Sequence, residues 1–147
     1  MPIFYSLVAR GQTILCDAAR EHGNFRLVAQ KIIAKIPQYD AKMSYVYEKY
    51  GFLFLHHSKQ FSHSYTFHYS VANSTIFMVL TDDHFDRRVA FSFLMDTQQL
   101  FQSRYGVNTE QISAYQFRDF IPELNKLMVS DRSNSQLTSL ISPPSFQ

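Results

Sequence analysis

His56, His57, His63 and His68 lie close together, and imidazole is a common transition-metal ligand, so these residues invite a metal-site reading. Two features argue against it. Adjacent His56 and His57 would point to opposite faces of an extended strand, and no cysteine or carboxylate pair stands beside them at a zinc-site spacing. A second set, Asp82, Asp83, His84 and Asp86, suggests magnesium binding or acid–base chemistry, but helix-start chemistry explains acidic residues there without any catalyst. Cys16, the one cysteine, can form no intramolecular disulfide and reads as a small packed hydrophobe in a reducing compartment. No glycine-rich phosphate loop appears among the four glycines, and no Ser-His-Asp arrangement forms a catalytic motif. The expectation is a protein that is not an enzyme and holds neither cofactor nor metal. A small metal-dependent enzyme using the histidine-rich stretch and Asp82 to Asp86 is the remote alternative.

The chain around these residues has 147 residues, of which 46% are hydrophobic, enough for one domain with a real core. Fourteen Phe and nine Tyr with no Trp favour a sheet-bearing fold over a plain helical bundle. The formal net charge is +2 with the cations scattered, which argues against a nucleic-acid footprint. No apolar run approaches the roughly 18 residues of a membrane span, and neither a signal peptide nor a common lipid anchor is read, so the chain as given is expected to be soluble.

Two strand-like runs, Ile3 to Ala9 and Thr13 to Cys16, flank Arg10-Gly11-Gln12 and read as a hairpin. The first run is apolar on both sides, so it is a central strand that other layers must cover twice. Gly23-Asn24 then supplies a break and an N-cap for a helix from Phe25 to Ile36, ended by Pro37. Lys42 to Tyr47 alternates like a strand near a sheet edge, and Ser64 to Val71 alternates with Tyr65, Phe67, Tyr69 and Val71 on one face. After a turn at Ala72-Asn73-Ser74, Thr75 to Leu80 is apolar on both faces and belongs beside the first strand. Thr81-Asp82-Asp83 is expected to open a second helix that Gly106 stops, and a third runs from about Asp119 to Val129 with Pro122 in its first turn. Residues 130–147 read as a disordered Ser/Pro-rich tail. The order permits a five-stranded, antiparallel-rich sheet with one helix on one face and two on the other, a three-layer α-β-α sandwich of α+β class.

Val8-Ala9-Arg10-Gly11, Gly23-Asn24-Phe25, Ala34-Lys35-Ile36-Pro37, Lys42-Met43-Ser44-Tyr45 and Phe67-His68-Tyr69 fall in the order of the longin (profilin-like) domain. So do Leu80-Thr81-Asp82-Asp83-His84-Phe85, Arg88, Ala90-Phe91, Phe93-Leu94, Phe101-Gln102 and Tyr105-Gly106. Residues 1–129 thus resemble the longin domain of R-SNAREs of the tetanus-insensitive vesicle-associated membrane protein type. The resemblance implies a binding module whose groove, between the first helix and the third strand, takes the protein's own SNARE motif or a trafficking adaptor. Carried over by motif, Met43 and Tyr45 on the edge strand are the candidate groove residues, with Ile32, Ile33 and Ile36 lining the helical wall. The competing reading puts all five in the core, which for the isoleucines is the ordinary fate of an apolar helical stripe.

Two departures stand out. Residues 47–63, including the apolar Phe52-Leu53-Phe54-Leu55, are an insertion between the third and fourth strands. That run is expected to be buried, by extending the sheet, covering the groove or exchanging between two copies in a homodimer; a mobile loop is the alternative. The long heptad coil and anchor of an R-SNARE are also not found before Gln147. The expected function is regulation of vesicle trafficking and membrane fusion, by autoinhibition or sorting, with SNARE motifs in cis or trans and adaptors as partners. The expected location is cytoplasmic, at the cytosolic face of vesicle or endosomal membranes. A stand-alone longin scaffold of a vesicle coat or tether is the alternative.

Overall fold

The computed structural model describes residues 3–20, 23–47, 65–106 and 112–129. The insertion and the tail expected from the sequence therefore lie outside the described residues, apart from Tyr47. Five strands form one sheet: β1 (Ile3–Arg10), β2 (Thr13–Ala19), β3 (Ala41–Tyr47), β4 (Tyr65–Ala72) and β5 (Thr75–Asp82). Their order is β2-β1-β5-β4-β3, and every neighbouring pair is antiparallel. The two strands apolar on both faces, β1 and β5, are partners, as their composition requires.

Turn chemistry sets the register of both hairpins. Gly11 has φ +61°, a conformation that costs a residue without Cβ nothing, and the β4–β5 turn places Asn73 and Ser74 at φ 54° and 63°, the left-handed pair of a type I′ hairpin. The Asn73 N–H is further held by Asp40 Oδ1 at 3.2 Å.

Two irregularities in the hairpin decide which side chain meets which layer. Ile3 pairs with Thr81 and Tyr5 with Leu80, so Phe4 is an extra residue and Ile3 and Tyr5 serve opposite cores. Strict alternation would have put them on one face. On β2 the register slips between Val8/Cys16 and Ala9/Ile14, so Leu15 and Cys16 enter the same core while Ile14 enters the other.

One core lies under α1 (Phe25–Ile33), where Phe25, Val28, Ala29, Ile32 and Ile33 meet Tyr5, Leu7, Phe67, Met78 and Leu80. The N-cap residue is Asn24, but its side chain makes no capping bond, unlike the sequence expectation. The α-helix also ends earlier: beyond Ile33 the chain tightens into i→i+3 bonds, Lys35 N–H to Ile32 and Ile36 N–H to Ile33, before Pro37. The second core lies under α2 (Arg87–Tyr105) and α3 (121–129), with the 3₁₀ turn Arg118–Phe120 between them. Cys16 is buried there, and burial pushes its thiol up to about 12, so it packs as a hydrophobe. α2 does not start at Asp82. β5 continues through that residue, and Asp86 is the cap, its Oδ1 accepting the Arg88 N–H at 2.8 Å.

Phe101 and Phe120 anchor the second core, with ring centroids 5.3 Å apart at 87°. Phe120→Ala is expected to cost about 3–5 kcal/mol, because it opens a cavity between the 3₁₀ turn and the sheet. Urea unfolding followed by circular dichroism would measure it.

Candidate protein-binding surface

β3 pairs only with β4 among the described residues, so its outer backbone edge and its side chains form one border of the sheet. Met43 pairs with Tyr69 and Tyr45 with Phe67, and residues directly opposite in an antiparallel pair share a face. Tyr69 and Phe67 belong to the α1 core, so Met43 and Tyr45 continue that apolar face outward past the shelter of the helix. They are 50% and 42% exposed. Such a border can add a guest's backbone hydrogen bonds while apolar side chains contact the guest.

The helical wall is different. Ile32, Ile33 and Ile36 are 6%, 1% and 5% exposed and belong to the α1 core, so they seat the helix on the sheet and leave a guest only their edges. What the helix presents to solvent instead includes Leu27, with Tyr39 exposed on the connection to β3. Leu27 adjoins the apolar stripe in sequence, but at 100° per residue it falls away from it, whereas Ile33 lies four residues after Ala29 within it, and the structure exposes the one and buries the other.

Among the residues that suggested chemistry, His56, His57 and His63 lie outside the described residues. His68 points under α2, against the Phe91 ring at a centroid distance of 5.6 Å. Arg87 Nε donates to Ser44 Oγ at 3.0 Å, Ser44 Oγ lies 2.7 Å from His68 Nδ1, and His68 Nε2 lies 3.2 Å from Thr81 Oγ1, which donates to the Asp82 carbonyl at 3.0 Å. With Ser44 donating to Nδ1, the neutral ring carrying its proton on Nε2 satisfies the whole chain. Burial and then the Arg87 charge lower the His68 pKa to about 4. Its role is to tie β3, β4 and β5 together beneath the start of α2. Asp82 accepts the His84 N–H at 3.0 Å, and Asp86 caps α2, so both carboxylates are explained by turn chemistry. Among the described residues no cluster of His, Cys, Asp or Glu could hold a metal ion.

The sequence reading missed Asp17. Its carboxylate, nearly buried on β2, accepts the Tyr5 hydroxyl at 2.6 Å, Arg26 Nε at 2.8 Å and Nη2 at 3.2 Å, and the Tyr115 hydroxyl at 3.2 Å. The Arg26 guanidinium also lies 5.0 Å from the Tyr115 ring centroid. Burial, and after it the Asp17 charge, pushes the Tyr115 hydroxyl up to about 12. Backbone bonds complete the clamp: Tyr115 N–H to Ile14 and Phe117 N–H to Leu15, at 2.8 and 3.1 Å, cover part of the β2 edge. A cleft of about 980 Å³ opens beside this cluster, bounded by Asp17, Arg26, Tyr115, Arg118, Ile121 and other residues. One carboxylate gathering partners from β1, α1 and residue 115 has no sequence signature, since its partners lie far apart in the chain.

Two kinds of similarity meet this geometry. A family model described as Longin, the regulated-SNARE-like domain, matches residues 57–124. The chain is 39% identical over 129 residues to vesicle-associated membrane protein 7B of Dictyostelium discoideum, covering 87% of this chain and 44% of that protein. It is 36% identical over 116 residues to vesicle-associated membrane protein 7 of Mus musculus, covering 78% of this chain and 46% of that protein. Vesicle-associated membrane protein 712 of Arabidopsis thaliana is 28% identical over 143 residues, covering 97% of this chain and 58% of that protein. The chain thus spans about half the length of these curated relatives. Among the described residues no helix is long and apolar enough to cross a membrane.

Asp17→Asn weakens four charge-assisted hydrogen bonds at once and is expected to lower stability by about 1–3 kcal/mol in urea unfolding. For His68 the folded pKa of about 4 lies below the ordinary 6.5, so the unfolded chain takes up the proton first as pH falls. Its contribution is complete above pH 6.5 and is lost progressively towards pH 4. His68→Gln should flatten the stability profile between pH 6.5 and about 5, above the range where carboxylates titrate.

Proposed function

This chain carries a longin domain of the R-SNARE type, and from that premise we propose that it is a regulatory, protein-binding module of vesicle trafficking and membrane fusion. The observation that carries the reading is the β3 border, where Met43 and Tyr45 extend the α1-side apolar face into solvent. A SNARE motif docked there would be withheld from zippering with its partners, and a trafficking adaptor competing for the same surface would release the motif or sort the protein. Both ligands are polypeptides, and neither requires catalysis, a cofactor or a metal.

The site of action that fits this role is the cytosolic face of vesicle or endosomal membranes, where R-SNARE motifs meet their partners. The relatives are vesicle-associated membrane proteins about twice as long as this chain, so the coil that the domain regulates belongs either to a longer form of the same protein or to a separate molecule. Exchange of residues 47–63 between two copies is a further way to occupy the border; apart from Tyr47 that segment lies outside the described residues.

Met43→Ser/Tyr45→Ser removes apolar surface that is already half exposed, so the variant should fold with nearly unchanged stability. It should lose binding to an R-SNARE motif peptide by about tenfold or more, since each side chain supplies about 1 kcal/mol or more of apolar burial on docking. Isothermal titration calorimetry of both forms against the same peptide checks this. Equal binding would remove the β3 border as the site.

A further inference from the structure

Arg26, held by Asp17 of β2, shows which flank of α1 turns toward the β2 side of the sheet. At 100° per residue, Leu27 and Lys31 of α1 fall away from that flank, Lys31 toward β3, and Lys35 follows Lys31 by about one turn, in the i→i+3 turn beyond the helix end. Both lysines are exposed, and among the described residues no carboxylate pairs with either of them. The nearest acidic residue in sequence, Asp40, is engaged with the Asn73 N–H beyond the end of β4. The groove therefore has apolar residues, Met43 and Tyr45, on its strand side and two exposed cations about one turn apart along its helical side.

We propose that the occupant of this groove is an amphipathic helix of a partner protein, with acidic residues one helical turn apart along the border of its apolar stripe, set against Lys31 and Lys35. The inference rests on the groove reading above and names the chemistry that reading leaves open. A helix running beside α1 places carboxylates at i and i+4 about one turn apart, as the two lysines are, so both pairs form in a single register. Neither residues 48–64 nor residues 130–147 carry two acidic residues in such a pattern. Residues 48–64 contain one acidic residue, Glu48, and residues 130–147 contain one, Asp131. A membrane surface is disfavoured, because polybasic lipid recognition uses clusters of about four to eight cations, whereas the helical side of the groove has two.

Two synthetic amphipathic peptides of about 20 residues, identical in their leucine stripe but bordered by Glu in one and Lys in the other, test the proposal. Fluorescence anisotropy is measured with the full chain, with Lys31→Glu/Lys35→Glu, with Met43→Ser/Tyr45→Ser and with the remote control Lys126→Glu. The Glu peptide is expected to bind about tenfold more tightly than the Lys peptide at low ionic strength, with a smaller margin in high salt. Lys31→Glu/Lys35→Glu should reverse that preference, and Lys126→Glu should leave it unchanged. Equal binding of the two peptides, abolished by Met43→Ser/Tyr45→Ser, would leave the groove standing and overturn the acidic rule. A Glu preference that survives Lys31→Glu/Lys35→Glu would also overturn it. If neither peptide binds, or Met43→Ser/Tyr45→Ser binds as the parent does, the groove reading itself fails. Binding to phosphatidylserine vesicles that depends on Lys31 and Lys35, with no peptide preference, would assign the two lysines to a membrane and overturn the proposal.

Discussion

The pairing of β1 with β5 is the constraint on which the rest of the molecule depends. Both strands are apolar on both faces, so each face must be removed from water by its own layer. α1 lies on one side only, and α2, the 3₁₀ turn and α3 cover the other. A sheet covered this way can meet a guest only at its borders, because its faces are already occupied.

The two borders are treated differently among the described residues. On the β2 side, Tyr115 and Phe117 bond to the strand's outward carbonyls, and Asp17 binds side chains from β1, α1 and residue 115. Tyr115 accepts φ +58° to do so, an uncommon backbone state for a residue with a Cβ. On the β3 side the described chain supplies no such cover, and three of the exposed side chains there, Met43, Tyr45 and Val46, are apolar, with Lys42 exposed beside them. An open apolar border is an aggregation hazard unless a ligand occupies it, which is the physical reason for treating β3 as the working surface. The opposite face of the same strand is held by polar contacts: Ser44 bridges Arg87 and His68 and fixes β3 to the sheet, while among the described residues no strand pairs with its outer edge.

Much of this was legible in the sequence because it depends on local patterns. Period-two alternation identified β3 and β4, continuous apolarity identified β1 and β5 as central, and the three-and-four spacing from Phe25 gave α1 its buried stripe. The ordered motifs pointed to the longin family, and through it to Met43 and Tyr45. The start of α2 was misplaced because Thr81, Asp82, Asp83 and Asp86 are all competent caps in sequence. Only the continuation of β5 to Asp82 leaves the role to Asp86.

The sequence by itself determined which strands must be central, which helices are amphipathic and that Cys16 belongs inside, since each follows from side-chain polarity at a fixed period. Tertiary structure alone decided the two bulges, which turn Ile3 away from Tyr5 and bring Leu15 and Cys16 into one core. It also decided the Asp17 cluster, whose partners lie as far apart in the chain as Tyr5 and Tyr115. The split within the candidate groove belongs to the same class, with Met43 and Tyr45 in solvent and Ile32, Ile33 and Ile36 beneath the helix. Periodicity says which residues share a face; it takes the packing of one element against another to say which part of that face water still reaches.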